Sequence, residues 1–231
     1  MTHRKEFLTG VKAGLPVCIG FIPIAIAYAV SAIHSGLTPG QAVTMSLIVF
    51  AGASQMAAVN MLAAGAGAAA IILATLILNL RHLIMSTCVM KRLEKAPLFA
   101  RMGLSPFVTD ESFALFTSDD ALPGSPYTFL GLVAATYIPW VLGTVLGCFM
   151  FSLLPPLVAD SLGIALPALF IALLVPGVRK SLRLLAVVIF TAVLNTVLSA
   201  VMSGSWAVII STLLGALAGV FIMDEKEEAT V

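Results

Sequence analysis

The stretch AAAIILATLILNLRHLIMSTCVM, residues 68–90, decides the fold. It exceeds the roughly 20 residues that a helix needs to cross a hydrocarbon core. Inside it stands Asn79-Leu80-Arg81-His82. Polar and ionisable groups at membrane depth are costly, and are kept where they face a cavity, a partner or a substrate path. The stretch therefore reads as a transmembrane helix that carries a candidate site.

The composition around it agrees. The chain is 60% hydrophobic and 10% charged, with a mean hydropathy of +1.10, whereas soluble domains are about one-quarter charged. The apolar runs are too long for barrel strands, which leaves an all-α, polytopic transmembrane helical bundle. The charges lie in loops and at the ends rather than in a basic stripe, so no nucleic-acid partner is implied. Cys18, Cys88 and Cys148 are far apart and lack metal-ligand spacing. They read as small core or lipid-facing residues, not as a metal or disulfide framework. His3, Arg4, Lys5 and Lys12 precede an apolar run in the manner of a signal peptide. The run from Leu15 to Ile33 is longer than such a peptide's apolar region, so it is expected to stay as a first span.

About seven spans are expected from run length. The first contains Pro23, and the second, from Ala42 to Ala64, is interrupted at Ala51-Gly52-Ala53-Ser54-Gln55. The third is residues 68–90. Residues 104–126 read as an interfacial or re-entrant segment, with Thr109 as N-cap ahead of Asp110 and Glu111. Later spans are expected at 127–153, 162–175, 182–202 and 206–223, followed by a charged tail over 224–231. Phe21-Ile22-Pro23 echoes Tyr137-Ile138-Pro139, and Thr75 to Asn79 echoes Thr191 to Asn195, each displaced by 116 positions, as from 21 to 137. Residues 14–103 and 127–202 are thus read as two repeats, with 203–223 as a final helix. Three spans ahead of the second copy would make the repeats inverted, an architecture that puts binding at interrupted helices near the midplane. Placing Lys91 to Arg101 and Arg179 to Arg183 in the cytoplasm then puts the N-terminus outside, against Arg4, Lys5 and Lys12.

Thr75, Asn79, His82 and Ser86 share one stripe of the third span, and Thr191, Asn195 and Ser199 share one on the sixth. Such stripes either pack helices together or line a path. His82 adds a group that titrates near neutrality. Arg81 points about 160° from Asn79 on an ideal helix. It can snorkel, pair with Asp110 or Glu111, or anchor a substrate carboxylate. Gly52, Ser54 and Gln55 permit either close packing or an unwound turn that offers backbone groups to a ligand. Pro23, Pro139 and Pro167 are candidate helix breaks, although a simple kink explains a proline equally well. The chain carries no G-x-S-x-G, H-E-x-x-H or Walker A pattern, so neither an enzyme nor an ATPase is read from it, and no cofactor or metal is implied.

Phe50-Ala51-Gly52-Ala53-Ser54-Gln55, Asn79-Leu80-Arg81-His82-Leu83, Thr109-Asp110-Glu111-Ser112-Phe113 and Leu166-Pro167-Ala168-Leu169-Phe170 follow one another in an order and spacing that resembles the AzlC family. The resemblance runs from Gly14 to Met223. It implies a multi-pass protein of the bacterial inner membrane that exports leucine, isoleucine and valine together with a small AzlD-type subunit. On the physical reading, Gly52, Ser54, Gln55, Asn79 and Asn195 are expected to bind the amino acid. Arg81, His82, Asp110 and Glu111 are expected to couple transport to protons or to gate it. The competing expectations are a non-transporting scaffold and a passive channel.

Overall fold

A computed structural model describes residues 3–118, 121–151, 171, 174–175, 178–179, 181–202 and 204–222. The described residues are helical and include no strand. Two long helices form the spine, α1 (His3–His34) and, further along the chain, Pro126–Met150. The first runs unbroken through Pro16 and Pro23, and the second through Pro139. Pro23 and Pro139 are therefore not helix breaks; Pro139 is buried in the bundle, where neighbouring helices compensate for the missing N–H, and Pro23 is on an exposed face of α1. Pro167 lies outside the described residues.

The two spine helices are parallel. Gly10 backs onto Thr128 and Leu132, Gly14 onto Ala135, Gly143 onto Ala25 and Gly147 onto Ala29, so the numbers rise together. A β-carbon at Gly147 would sit 2.8 Å from that of Ala29. Only glycine lets the backbones approach so closely, as is usual at membrane helix seams. One end of the pair is marked by Ser125, whose hydroxyl donates to Glu6 Oε2 at 2.7 Å. At the other end the His34 ring meets Phe151 edge-on.

α2 (Pro39–Ile48) starts at the His34 end, under a capping box between Thr38 and Gln41. It stops halfway. Val49 and Ala51 leave helical geometry, and α3 (Gly52–Ala63) sets off in a new direction. α4 (Ala68–Asn79) returns antiparallel to α3, bringing the Asn79 amide to 3.2 Å from Ser54 Oγ. Past Leu80, α5 (Arg81–Arg92) carries on to the Glu6 end, where Arg92 donates to the Leu122 carbonyl at 2.8 Å. The start of α4 must then lie at the His34 end, and so must the end of α3. α2 and α3 thus form a hairpin that enters from one face, turns at mid-depth and leaves by the same face. The expected second span from Ala42 to Ala64 does not cross.

A second hairpin enters from the other face. α6 (Leu98–Leu104) leads through a 3₁₀ turn (Ser105–Phe107) to α7 (Asp110–Ser118). Thr109 caps α7 reciprocally: its hydroxyl accepts from Ser112 N, and its own N–H donates to Ser112 Oγ at 2.8 Å. α7 then returns beside α5, with Phe116 against Phe129 and beneath the Arg92 guanidinium. The chain continues into α8, the second spine helix (Pro126–Met150).

Both turns rest on Tyr137 of α8. Phe50 meets its ring edge-on at 5.1 Å and Phe107 does so at 5.4 Å. Its hydroxyl donates at 2.8 Å to the Leu47 carbonyl, which the end of α2 leaves unpaired. Irregular backbone at membrane depth survives only where protein buries and pairs it, and Tyr137 supplies part of that.

α9 (Leu182–Val201) and α10 (Gly204–Ile222) form an antiparallel pair joined by Ser211 to Asn195 and by Thr191 against Gly215. The start of α10, at Trp206 and Val208, lies beside Ala64 to Gly67 and hence at the His34 face. α1, the α4–α5 unit, α8 and α9 are long and apolar enough to cross a membrane, and Trp206–Ile222 is a shorter apolar helix. The expected span at 162–175 lies almost entirely outside the described residues.

Two expectations change. A relation displaced by 116 positions that equates α1 with α8 cannot be inverted, because these helices are parallel. The two hairpins enter from opposite faces. The N-terminus also moves. With one crossing fewer before α5, Arg4 and Lys5 fall on the same face as Lys91, Arg92, Lys95 and the start of α9 at Arg183. The positive-inside rule assigns that face, and the N-terminus with it, to the cytoplasm.

Candidate functional site

The hairpin tips and the middle of the spine enclose a cleft. Phe21 and Ile24 of α1 and Trp140 of α8 form one wall. Phe50 to Ala53 come from the first tip, Thr109 to Glu111 from the second, and Arg81 and His82 from the start of α5. Two of the contributing helices, α3 and α7, begin here. Their positive ends therefore point at the same small volume from opposite sides of the bundle. α3 has no side-chain cap, since its N-cap is Ala51, so its first N–H groups remain available.

Arg81 Nη2 lies 2.8 Å from Asp110 Oδ2, with the two side chains 36% and 31% exposed. The pair links the third expected span to the second hairpin and faces the cleft rather than dry core. The break at Leu80 gives Arg81 this direction. Leu80 N bonds to Ile77 O and Leu83 N to Leu80 O, three-residue spacings that shift the helical register between Asn79 and Arg81. Arg81, His82, Asp110, Glu111 and Gly52 are thus brought together at one site.

Four expected substrate contacts, Ser54, Gln55, Asn79 and Asn195, do not line the cleft. Gln55 is fully buried and both ends of its amide are engaged. Trp140 Nε1 donates to Gln55 Oε1 at 3.1 Å, and Gln55 Nε2 donates to Ser46 Oγ at 3.1 Å. Ser46 lies 2.9 Å from Thr144 Oγ1, whose own proton goes to the Trp140 carbonyl at 2.9 Å. The bonds close a ring that ties α2 and α3 to α8. Ser54 donates to the Ala51 carbonyl and accepts from Asn79, which fastens the first hairpin tip to α4. Asn195 faces α10, in a separate recess with Thr191 and Ser211, and does not join Gln55 and Asn79 around one chamber. Asn79 keeps one buried acceptor, Oδ1, without a hydrogen-bond partner.

Sequence reasoning missed Phe21, Ile24, Phe50 and Trp140 as wall residues. For Trp140 a signal existed. A tryptophan in mid-span lies outside the interfacial belts where the residue is usually found.

Residues 16–154 match the family model described as AzlC protein. The chain belongs to the AzlC family. The matched segment includes every residue of the cleft. Among AzlC relatives, the Inner membrane protein YgaZ of Escherichia coli K12 is 32% identical over 181 residues, 75% of this chain and 74% of that protein. A protein of Archaeoglobus fulgidus named "Uncharacterized membrane protein" is 32% identical over 182 residues, 78% of this chain and 79% of its own length. One of the same name from Helicobacter pylori is 24% identical over 155 residues, 64% of this chain and 67% of that one. No solved structure matches the chain. The relatives and the apolar helices together make this a multi-pass membrane protein.

Proposed function

We propose that the chain is a secondary transporter that exports branched-chain amino acids across a bacterial inner membrane, coupled to protons and acting with a small AzlD-type subunit. The observation that carries the transport reading is the convergence of two half-depth hairpins, from opposite faces, on the Arg81–Asp110 pair. Interrupted helices meeting at mid-depth are the recurring binding architecture of secondary transporters.

A zwitterion with an aliphatic side chain needs an anion site, a cation site and an apolar wall. Arg81 and the uncapped start of α3 suit the carboxylate. Asp110 and Glu111 suit the ammonium, and Phe21, Ile24, Phe50 and Trp140 suit the side chain. When the substrate carboxylate takes Asp110's place on Arg81, Asp110 becomes free to accept a proton or the ammonium. That exchange couples cargo to charge. The cleft has a volume of only about 30 Å³, far below the several hundred Å³ of ordinary ligand pockets, so a hairpin has to move for cargo to enter. Because the hairpins come from opposite faces, displacement of either one opens the cleft to its own side.

Cells preloaded with a leucine-containing dipeptide test the reading, with and without the small subunit. Expression of the pair is expected to lower internal leucine and raise external leucine, and to show trans-stimulated counterflow, which a passive channel lacks. Unchanged internal leucine in both conditions contradicts the proposal.

A further inference from the structure

We infer that Trp140 is the specificity-determining residue of the cleft, and that its indole, clamped by Gln55, limits the side chain of the cargo to small branched aliphatics. The inference rests on the export reading above and adds a residue to it. Trp140 is only 2% exposed, yet it lines the cleft. Its ring edge touches the first hairpin tip, since a β-carbon at Gly52 would lie 2.7 Å from Trp140 Cη2. Phe21 packs against it edge-on at 5.4 Å, and Tyr28 stacks on it at 6.1 Å.

The ring is fixed on its polar side as well. The bonds through Gln55, Ser46 and Thr144 run in one direction and return to the Trp140 carbonyl, so each hydroxyl proton has a single acceptor. A side chain held by packing on two sides and by a closed ring of buried bonds cannot swing away to admit larger cargo. Gly52 and Trp140 touch in the closed cleft, and they become the two sides of a gauge when the first hairpin moves to admit cargo. Enlarging one side or shrinking the other moves its setting in opposite directions.

The chain contains two tryptophans, Trp140 and Trp206, and Trp206 lies away from the cleft. In the full chain with Trp206→Phe, emission therefore reports Trp140 alone. Saturable emission changes are expected with valine, leucine and isoleucine. Competition against labelled leucine transport, with the small subunit present, supplies the second reading. In Trp140→Leu, phenylalanine is expected to improve as a competitor relative to leucine by about tenfold, the range that a change of one side-chain group gives in an apolar pocket. In Gly52→Ala, leucine is expected to weaken relative to valine by about the same factor.

An unchanged competitor order in both variants overturns the inference and leaves export standing. Leucine transport without any emission change from Trp140 does the same. A wild-type chain that neither transports nor alters its emission with any of these amino acids overturns both the export reading and this one. Should Trp140→Leu or Gly52→Ala fail to accumulate, Trp140→Phe, which keeps an aromatic ring of smaller size, is expected to shift the competitor order toward phenylalanine, and an unchanged order in it overturns the inference.

Discussion

At the scale of single residues, the proposed mechanism rests on Arg81 and Asp110, which pair with each other and line the cleft. Charge-assisted hydrogen bonds contribute about 1.5–3 kcal/mol. Arg81→Ala is therefore expected to reduce leucine efflux by about ten- to a hundredfold, with the chain still inserted at normal level by immunoblot. Arg81→Lys should fall in the same range, since a lysine cannot reproduce the planar fork. Efflux within twofold of wild type in both variants removes Arg81 from the mechanism. Gln55 should behave differently. Gln55→Ala leaves the Trp140 N–H buried without its partner, a loss of about 1–3 kcal/mol. It is expected to lower the melting temperature of the purified protein by several degrees, and an unchanged melting temperature contradicts the closed ring. The Arg81 partnership was legible in the sequence because a cation in an apolar run requires a counter-charge, and Asp110 and Glu111 stand at a helix start. The role of Gln55 was not legible. A buried amide looks the same in sequence whether it meets a ligand or, as here, an indole and a serine.

Elements explain which breaks were readable. The interruption near Gly52 was visible as a cluster of small polar residues in an apolar run, and the chain does leave helical geometry at Val49 to Ala51. Pro23 and Pro139 were misleading: both helices run on through their prolines, and at the buried Pro139 the tightly packed neighbouring helices make the missing N–H tolerable. That packing depends on glycine. Gly147→Val is expected to force α1 and α8 apart, since even a β-carbon there would lie 2.8 Å from Ala29 Cβ and from the Ile26 carbonyl. The expected loss is about 1–3 kcal/mol, measured as thermal loss of the monodisperse peak in size-exclusion chromatography. Gly20→Ala is the control, because nothing lies within 4 Å of its β-carbon position. Equal thermal stability of the two variants contradicts the seam.

For the whole molecule, composition points to the helical membrane class, and the order of motifs points to the family that the match over residues 16–154 shows. The path of the chain was not readable, because a hairpin of two half-helices has the same length and hydropathy as a single crossing. Contacts such as those of Ser54 with Asn79, and of Arg92 with Leu122, distinguish them. Once α2 and α3 are recognised as a hairpin, the basic residues near the N-terminus and after α5 share one face, and the conflict with the positive-inside rule disappears. The most direct test replaces Cys18, Cys88 and Cys148 and introduces single cysteines at Gly40, Gly67 or Lys95, all exposed positions. A membrane-impermeant thiol reagent added to intact cells should label both Gly40→Cys and Gly67→Cys, which flank the hairpin, and should reach Lys95→Cys only after the membrane is opened. Labelling of Gly40→Cys and Gly67→Cys from opposite sides would mean that the segment crosses the membrane, and the cleft between opposed hairpins could not exist.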